Sequence, residues 1–155
     1  MSKIAGVHDL ENLKKFNSLL TFTPPSAAFG TITASNIQSR RVGDCLEVRG
    51  TFKSGTPGAS TALIPMPSGL VIDSAKLSTT SNTSNIGFFV ITLTTSAFAA
   101  ANDIGPMMFD GSDTANVYFT QSASASGTMA KFNGNVQSSN VGYHFEFKVP
   151  IVGWK

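Results

Sequence analysis

The sequence predicts an all-β fold, an antiparallel jelly-roll sandwich preceded by a short N-terminal helical arm. Three observations predict it. Beyond Pro25 the apolar residues recur with period two, the spacing at which a strand sends side chains to one face. Clusters of Gly, Pro, Asn, Asp and Ser interrupt these runs roughly every 10–15 residues, where turns are expected. The turns leave room for about eight to ten strands, the number that two packed sheets of four need. The expected division is an arm over residues 1–25 and a jelly-roll domain over residues 26–155.

The arm comes first. Leu10, Leu13, Phe16 and Leu20 follow the spacing of one helix face. Asp9 can cap that helix, and Glu11 sits in its first turn, where an acid favours the dipole. Such a helix has about three turns, is marginal alone and must dock on something. Pro24-Pro25 ends it.

The strands follow. Leu46, Val48, Gly50 and Phe52 share one face, while Glu47, Arg49, Thr51 and Lys53 share the other. The run Ile86–Thr94 is apolar on both faces and reads as a central strand. Val117, Phe119 and Gln121 alternate with Tyr118 and Thr120, and Ala130 and Phe132 with Met129 and Lys131. The clearest strand places Tyr143, Phe145, Phe147, Val149 and Ile151 on one side and His144, Glu146, Lys148 and Pro150 on the other. Pro150 cannot donate to a ladder, so that end is expected at an edge or beyond pairing. Turns are expected at 54–58, 65–69, 81–85, 110–113, 122–127 and 133–135.

Composition removes several classes. Of 155 residues only 13% are charged, about half the ~25% of an ordinary soluble domain. Ser and Thr exceed a fifth of the chain. Twelve phenylalanines argue against disorder, and the lone Cys45 rules out an internal disulfide framework. The net charge of +2, with no basic run beyond Lys14-Lys15 and Arg40-Arg41, gives no footprint for nucleic acid. No apolar stretch approaches the ~18 residues of a membrane span, and no secretory pattern opens the chain. Charge gathers in the first third, and between Ser54 and Asn102 only Asp73 and Lys76 carry any.

Candidate chemistry is sparse. His8 and His144 are the only histidines. His144 shares a strand face with Glu146, so a serine nearby could complete a triad, although a surface or interface histidine explains the pair as well. The three Glu residues are Glu11, Glu47 and Glu146, far apart in sequence. Asp110 and Asp113 lie in a Gly-containing segment that suits a turn, with a calcium loop as the alternative. Cys45 reads as a plain thiol. Trp154 and Tyr118 are the aromatics that could stack on sugars, with Trp154 better read as a plug for the end of the sandwich. No enzyme, metal or cofactor is expected.

Three segments carry a resemblance. They are the run from Arg40 to Phe52 (RRVGDCLEVRGTF), the run from Ile64 to Asp73 (IPMPSGLVID) and the close from Phe147 to Lys155 (FKVPIVGWK). Together these resemble tailed-phage and prophage virion proteins that carry a trimeric jelly-roll module similar to tumour-necrosis-factor-like heads. The resemblance covers roughly residues 28 to 155. It implies a virion structural or attachment protein, found on the capsid exterior and made in the bacterial cytoplasm, that partners itself as a homotrimer. A capsid cement (decoration) protein bound to the major capsid protein is the function expected, because only a short arm precedes the module. The alternative is a tail-fibre or tail-tip protein touching host surface glycans through loops such as 81–85 or 122–127. In the cement reading Leu10, Leu13, Phe16 and Leu20 dock on the capsid, and Arg40, Arg41, Arg49 and Lys53 supply electrostatic contacts.

Overall fold

The computed structural model describes residues 20–24, 26–77, 83–92, 104–111, 113–122, 129–131 and 139–155. Leu10, Leu13 and Phe16 of the expected arm helix lie outside the described residues. Leu20, the last of that stripe, is half-buried against the core. Phe22 and Pro24 are buried, so this end of the arm is already part of the packed body.

Helix among the described residues is confined to one turn, α1 (Ser26–Phe29), and a 3-10 turn at Ser74–Lys76. The strands are β1 (Thr33–Val42), β2 (Cys45–Lys53), β3 (Leu63–Pro65), β4 (Thr83–Thr92), β5 (Ile104–Asp110), β6 (Asn116–Ser122), β7 (Met129–Lys131) and β8 (Gly142–Pro150). They pair antiparallel throughout in the order β1-β2-β8-β4-β5-β6-β3, with β7 bonded to β6. The all-β, antiparallel expectation therefore holds.

The predicted faces of β2 and β8 hold almost throughout. Leu46, Val48 and Phe52 are buried on β2, and Tyr143, Phe145, Phe147 and Val149 on β8. Pro150 departs from the expectation, because it is buried rather than turned outward. It pairs with Cys45 of β2, and its carbonyl accepts the Asp73 N–H at 2.9 Å. On the β4 side the ladder stops at Phe147, so the missing Pro150 N–H interrupts nothing there. The expected turn at 81–85 also shifts, since Thr83, Ser84 and Asn85 belong to β4 and pair with β5.

The sheet curls over itself. Phe119 of β6 meets Phe52, Phe89 and Phe145 of β2, β4 and β8 edge-on, with ring centroids 6.5, 5.0 and 6.1 Å apart. Phe29 of α1 plugs one end of this core, 4.9 Å from Phe52, 5.4 Å from Phe119 and 5.1 Å from Tyr143. Gly30 follows at φ 68°, so close to the 54–58 turn that a Cβ there would stand 2.3 Å from the Thr56 carbonyl oxygen. Only glycine fits both that backbone and that approach. The same turn is stitched to its surroundings by Ser54 N–H to Val141 and Gly55 N–H to Phe29, both at 2.9 Å.

Candidate functional site

Two surfaces have the geometry to matter: a clasp at the end of the fold opposite α1, and the outward face of the β1-β2-β8-β4-β5 sheet.

The clasp starts at the β1–β2 hairpin. Val42 pairs with Cys45, leaving Gly43-Asp44 as a two-residue turn with Gly43 at φ 63°, the backbone that such a turn demands. The Asp44 carbonyl accepts the Ile151 N–H at 2.9 Å, and its carboxylate accepts Lys76 Nζ at 2.9 Å. The Lys76 hydrogen bond, joined by that of the Cys45 thiol, holds the Asp44 carboxyl below its usual range. The same bond raises Lys76. Burial, and then the Asp44 bond, push the Cys45 thiol up, so it is a protonated bystander.

Arg41 closes the clasp. Its guanidinium lies 4.7 Å from the Trp154 ring centroid, and it donates to the carbonyls of Gly43 at 2.8 Å and Lys155 at 2.9 Å. Trp154 packs against the core from outside, the position expected of a plug. The segment following β3 completes the seal: Met66 N–H reaches Ala115, Ile72 N–H reaches Thr114, and Val152 N–H reaches Val71. Segments far apart in the chain thus meet in one hydrogen-bonded end.

The outward sheet face is built by strand alternation. Asn36, Gln38 and Arg40 of β1 stand in register with Thr51, Arg49 and Glu47 of β2, which stand in register with His144, Glu146 and Lys148 of β8. Glu47 bridges the row, 2.6 Å from Arg40 and 3.5 Å from Lys148. Arg49 donates to Gln38 at 3.2 Å and lies opposite Glu146. Beyond β8 the character changes. Phe88 and Val90 of β4 continue the rows of Glu146 and His144, and Pro106 and Ile104 of β5 continue them again. Phe88 is 49% exposed and Ile104 is 69% exposed. Two shallow concavities of about 410 and 380 Å3 flank the Arg49–Glu146 pair on this face.

Of the four cations expected to make electrostatic contacts, Arg40, Arg49 and Lys53 share the outward parity of β1 and β2, while Arg41 belongs to the clasp. Arg40 already faces Glu47, and Arg49 stands opposite Glu146, so the cations of this face are interspersed with acids. Tyr118, expected as an exposed sugar platform, is instead buried. Its hydroxyl donates to Asp113, and Lys131 Nζ sits 3.9 Å over its ring. Asp113 also accepts Asn116 Nδ2 at 2.7 Å and Ala115 N–H at 3.0 Å. Burial pushes the Asp113 carboxyl up, but these hydrogen bonds outweigh it and hold it below its usual range. Asp110 pairs with Lys131 at 2.7 Å. The segment is a turn whose carboxylates are occupied, as its composition suggested. Among the described residues no group of three His, Cys, Asp or Glu side chains could hold a metal.

No family model, curated protein or solved structure matches the chain.

His144 and Glu146 do share the outward face, but His144 stands opposite Thr51 and Val90, and Glu146 opposite Arg49 and Phe88. The buried serines Ser39 and Ser54 lie away from them, Ser39 opposite Val48 and Ser54 bonded to Val141. Phe88 and Ile104 are the residues of this face that sequence reading missed. The signal for Phe88 was present, because Ile86–Thr94 is apolar on both faces. Ile104 gave none, because Pro106 interrupts the alternation of β5.

Proposed function

We propose that the protein is a structural component of a tailed-phage virion that acts by binding alone, as a jelly-roll homotrimer cementing the major capsid protein. One observation supports this above the rest. The three segments that resemble virion proteins are scattered in the chain yet meet in one clasp, where each has a structural task. Gly43 makes the hairpin turn, Asp44 receives Ile151 and Lys76, the segment after β3 spans from the turn before β6 to β8, and Trp154 seals the end under Arg41. Motifs that cooperate in this way speak for a shared folding unit rather than for chance matches.

The outward sheet face fits the same reading. Its interspersed charges and apolar ridge suit a protein surface, whereas a polyanion needs one sign. In this function Leu10, Leu13 and Phe16 supply the capsid contact, and Leu20, seated on the core, anchors them. The test is quantitative mass spectrometry of particles made by the genome that encodes the chain. Copies on the order of hundreds per particle, as a symmetric shell requires, support the cement reading. A few to tens of copies transfer the protein to the tail, and absence from particles overturns the proposal.

A further inference from the structure

We propose that Asp110-Gly111 is a site of spontaneous backbone rearrangement to isoaspartate, and that Lys131 guards it. The site is independent of what the protein binds.

The pair is the only Asp-Gly in the chain. Glycine has no Cβ, so its backbone nitrogen is the least hindered in approaching the side chain of the aspartate before it. The chemistry needs no co-reactant but water. The Gly111 nitrogen attacks Asp110 Cγ, and the new C–N bond closes a five-membered succinimide ring. The proton of that nitrogen and the carboxyl OH leave together as water. A second water then opens the ring at one of its two carbonyls. Opening at Cγ restores aspartate. Opening at the former main-chain carbonyl leaves the chain running through Cβ and Cγ, which is isoaspartate.

The surroundings of the pair oppose that attack. Asp110 ends β5 and stands opposite Thr83 of β4. Its carbonyl accepts the Asp113 N–H at 2.8 Å, so Gly111 lies in a hydrogen-bonded turn. Its carboxylate is drawn toward β7, 2.7 Å from Lys131 Nζ. Lys131 is itself held in place, because its ammonium lies 3.9 Å over the Tyr118 ring, whose hydroxyl donates to Asp113. The hydrogen bond to Asp110 raises Lys131 above its ordinary value, so it is charged throughout the neutral range. Two requirements of ring closure conflict with this bridge. The carboxyl group must turn from the ammonium to face the Gly111 nitrogen. One of its oxygens must also take up a proton before it can leave as water, and the ammonium competes for the same oxygens.

Rearrangement would reach beyond the turn. Isoaspartate adds one carbon to the main chain and shortens the side chain by one. Asp110 would then lose both its register with Thr83 and its reach to Lys131. β7 has three residues and pairs with β6, so the Lys131 bridge ties this short strand to β5.

Mass spectrometry of the full chain, aged for several weeks at neutral pH and body temperature, tests the proposal. Electron-transfer fragmentation tells isoaspartate from aspartate residue by residue. Asn133-Gly134, the only Asn-Gly, changes mass when its amide is lost, whereas Asp110 does not, so the two are read separately. The wild-type protein should gain isoaspartate at Asp110 slowly. Lys131→Gln, at a half-exposed position, should gain it about two- to five-fold faster with unchanged far-UV circular dichroism, the range for a lost half-exposed ion pair. Lys131→Arg keeps the charge and should age as the wild type does. Salt probes the same bridge without a variant: at about 1 M, where the screening length is ~3 Å, the wild-type rate should rise. No isoaspartate at Asp110 in any sample overturns the site. A rate moved by neither Lys131→Gln nor salt overturns the guard, and so does Lys131→Arg ageing as fast as Lys131→Gln.

Discussion

Tyr143 lies at the centre of the core with its hydroxyl unsatisfied. The side chain is fully buried, its ring is stacked on Phe52 at 4.8 Å, and edge contacts join it to Phe29 and Phe119. Its hydroxyl has no hydrogen-bond partner among the described residues. In the unfolded chain that hydroxyl is hydrated, so folding strips it of water without replacement, at a cost of about 1–3 kcal/mol. Tyr143→Phe removes the oxygen and leaves every ring contact in place. The variant should therefore gain about 1–2 kcal/mol, which raises Tm by about 2–8 °C at this chain length. Guanidinium denaturation should show a later midpoint at unchanged slope.

The pH dependence supplies a second, independent sign. Burial raises the Tyr143 phenol well above its ordinary value. The unfolded chain begins to ionise near pH 10 while the folded one does not, so above that pH the unfolded state binds fewer protons and stability falls. This group alone contributes a loss of about 1.4 kcal/mol per pH unit above 10. Tyr118 is also raised, first by burial and then by its bond to Asp113, and acts in the same direction. The difference between wild type and Tyr143→Phe isolates Tyr143: the advantage of the variant should grow from pH 9 to pH 11. A variant less stable than wild type by more than about 0.5 kcal/mol at pH 7 would refute the reasoning, because it would show that the hydroxyl is hydrogen-bonded.

Three other substitutions probe the ends of the fold. Phe29→Ala empties the plug of α1 against three rings and should cost about 3–5 kcal/mol in equilibrium unfolding. Gly30→Ala places a methyl 2.3 Å from the Thr56 carbonyl oxygen on a left-handed backbone, and should lose about 2–4 kcal/mol by the same assay. Arg41→Ala strips the guanidinium from Trp154, the only tryptophan; its fluorescence should shift to the red, with about 1 kcal/mol lost and the fold retained.

The parts of the fold written in alternation were legible. In β2 and β8 one face is apolar and the other charged, because one side meets the core and the other meets solvent. β1 gave no such signal. Its Ser, Asn and Gln side chains leave Ile37 as the single buried hydrophobe, since an outer strand needs little apolar anchoring. Its bulge between Thr33 and Asn36, with Ala34 at φ 50°, also breaks the period. β3 has three residues and β5 carries a proline, too little pattern for either to be read as a strand. Of the site, the sequence located the outward charges of β2 and β8 correctly. It could not separate Arg40 from Arg41, which are adjacent in sequence but serve the outward face and the clasp respectively. That division depends on the hairpin register and on where the C-terminal segment returns.

β4 explains why the two faces of one sheet need separate treatment. The strand is hydrogen-bonded on both sides, to β8 and to β5, so its place in the sheet is central. A central strand with apolar residues on both faces is expected to be covered on both. The curl of the sheet covers Phe89 and Ile91, because Phe119 reaches across the core to that side. It leaves Phe88 at 49% exposure on the other. Isolated hydrophobes on a surface need no explanation, but Phe88, Val90, Ile104 and Pro106 occupy matching positions on neighbouring strands. The curled sheet thus covers one of the two apolar faces that β4 encodes and leaves Phe88 exposed on the other.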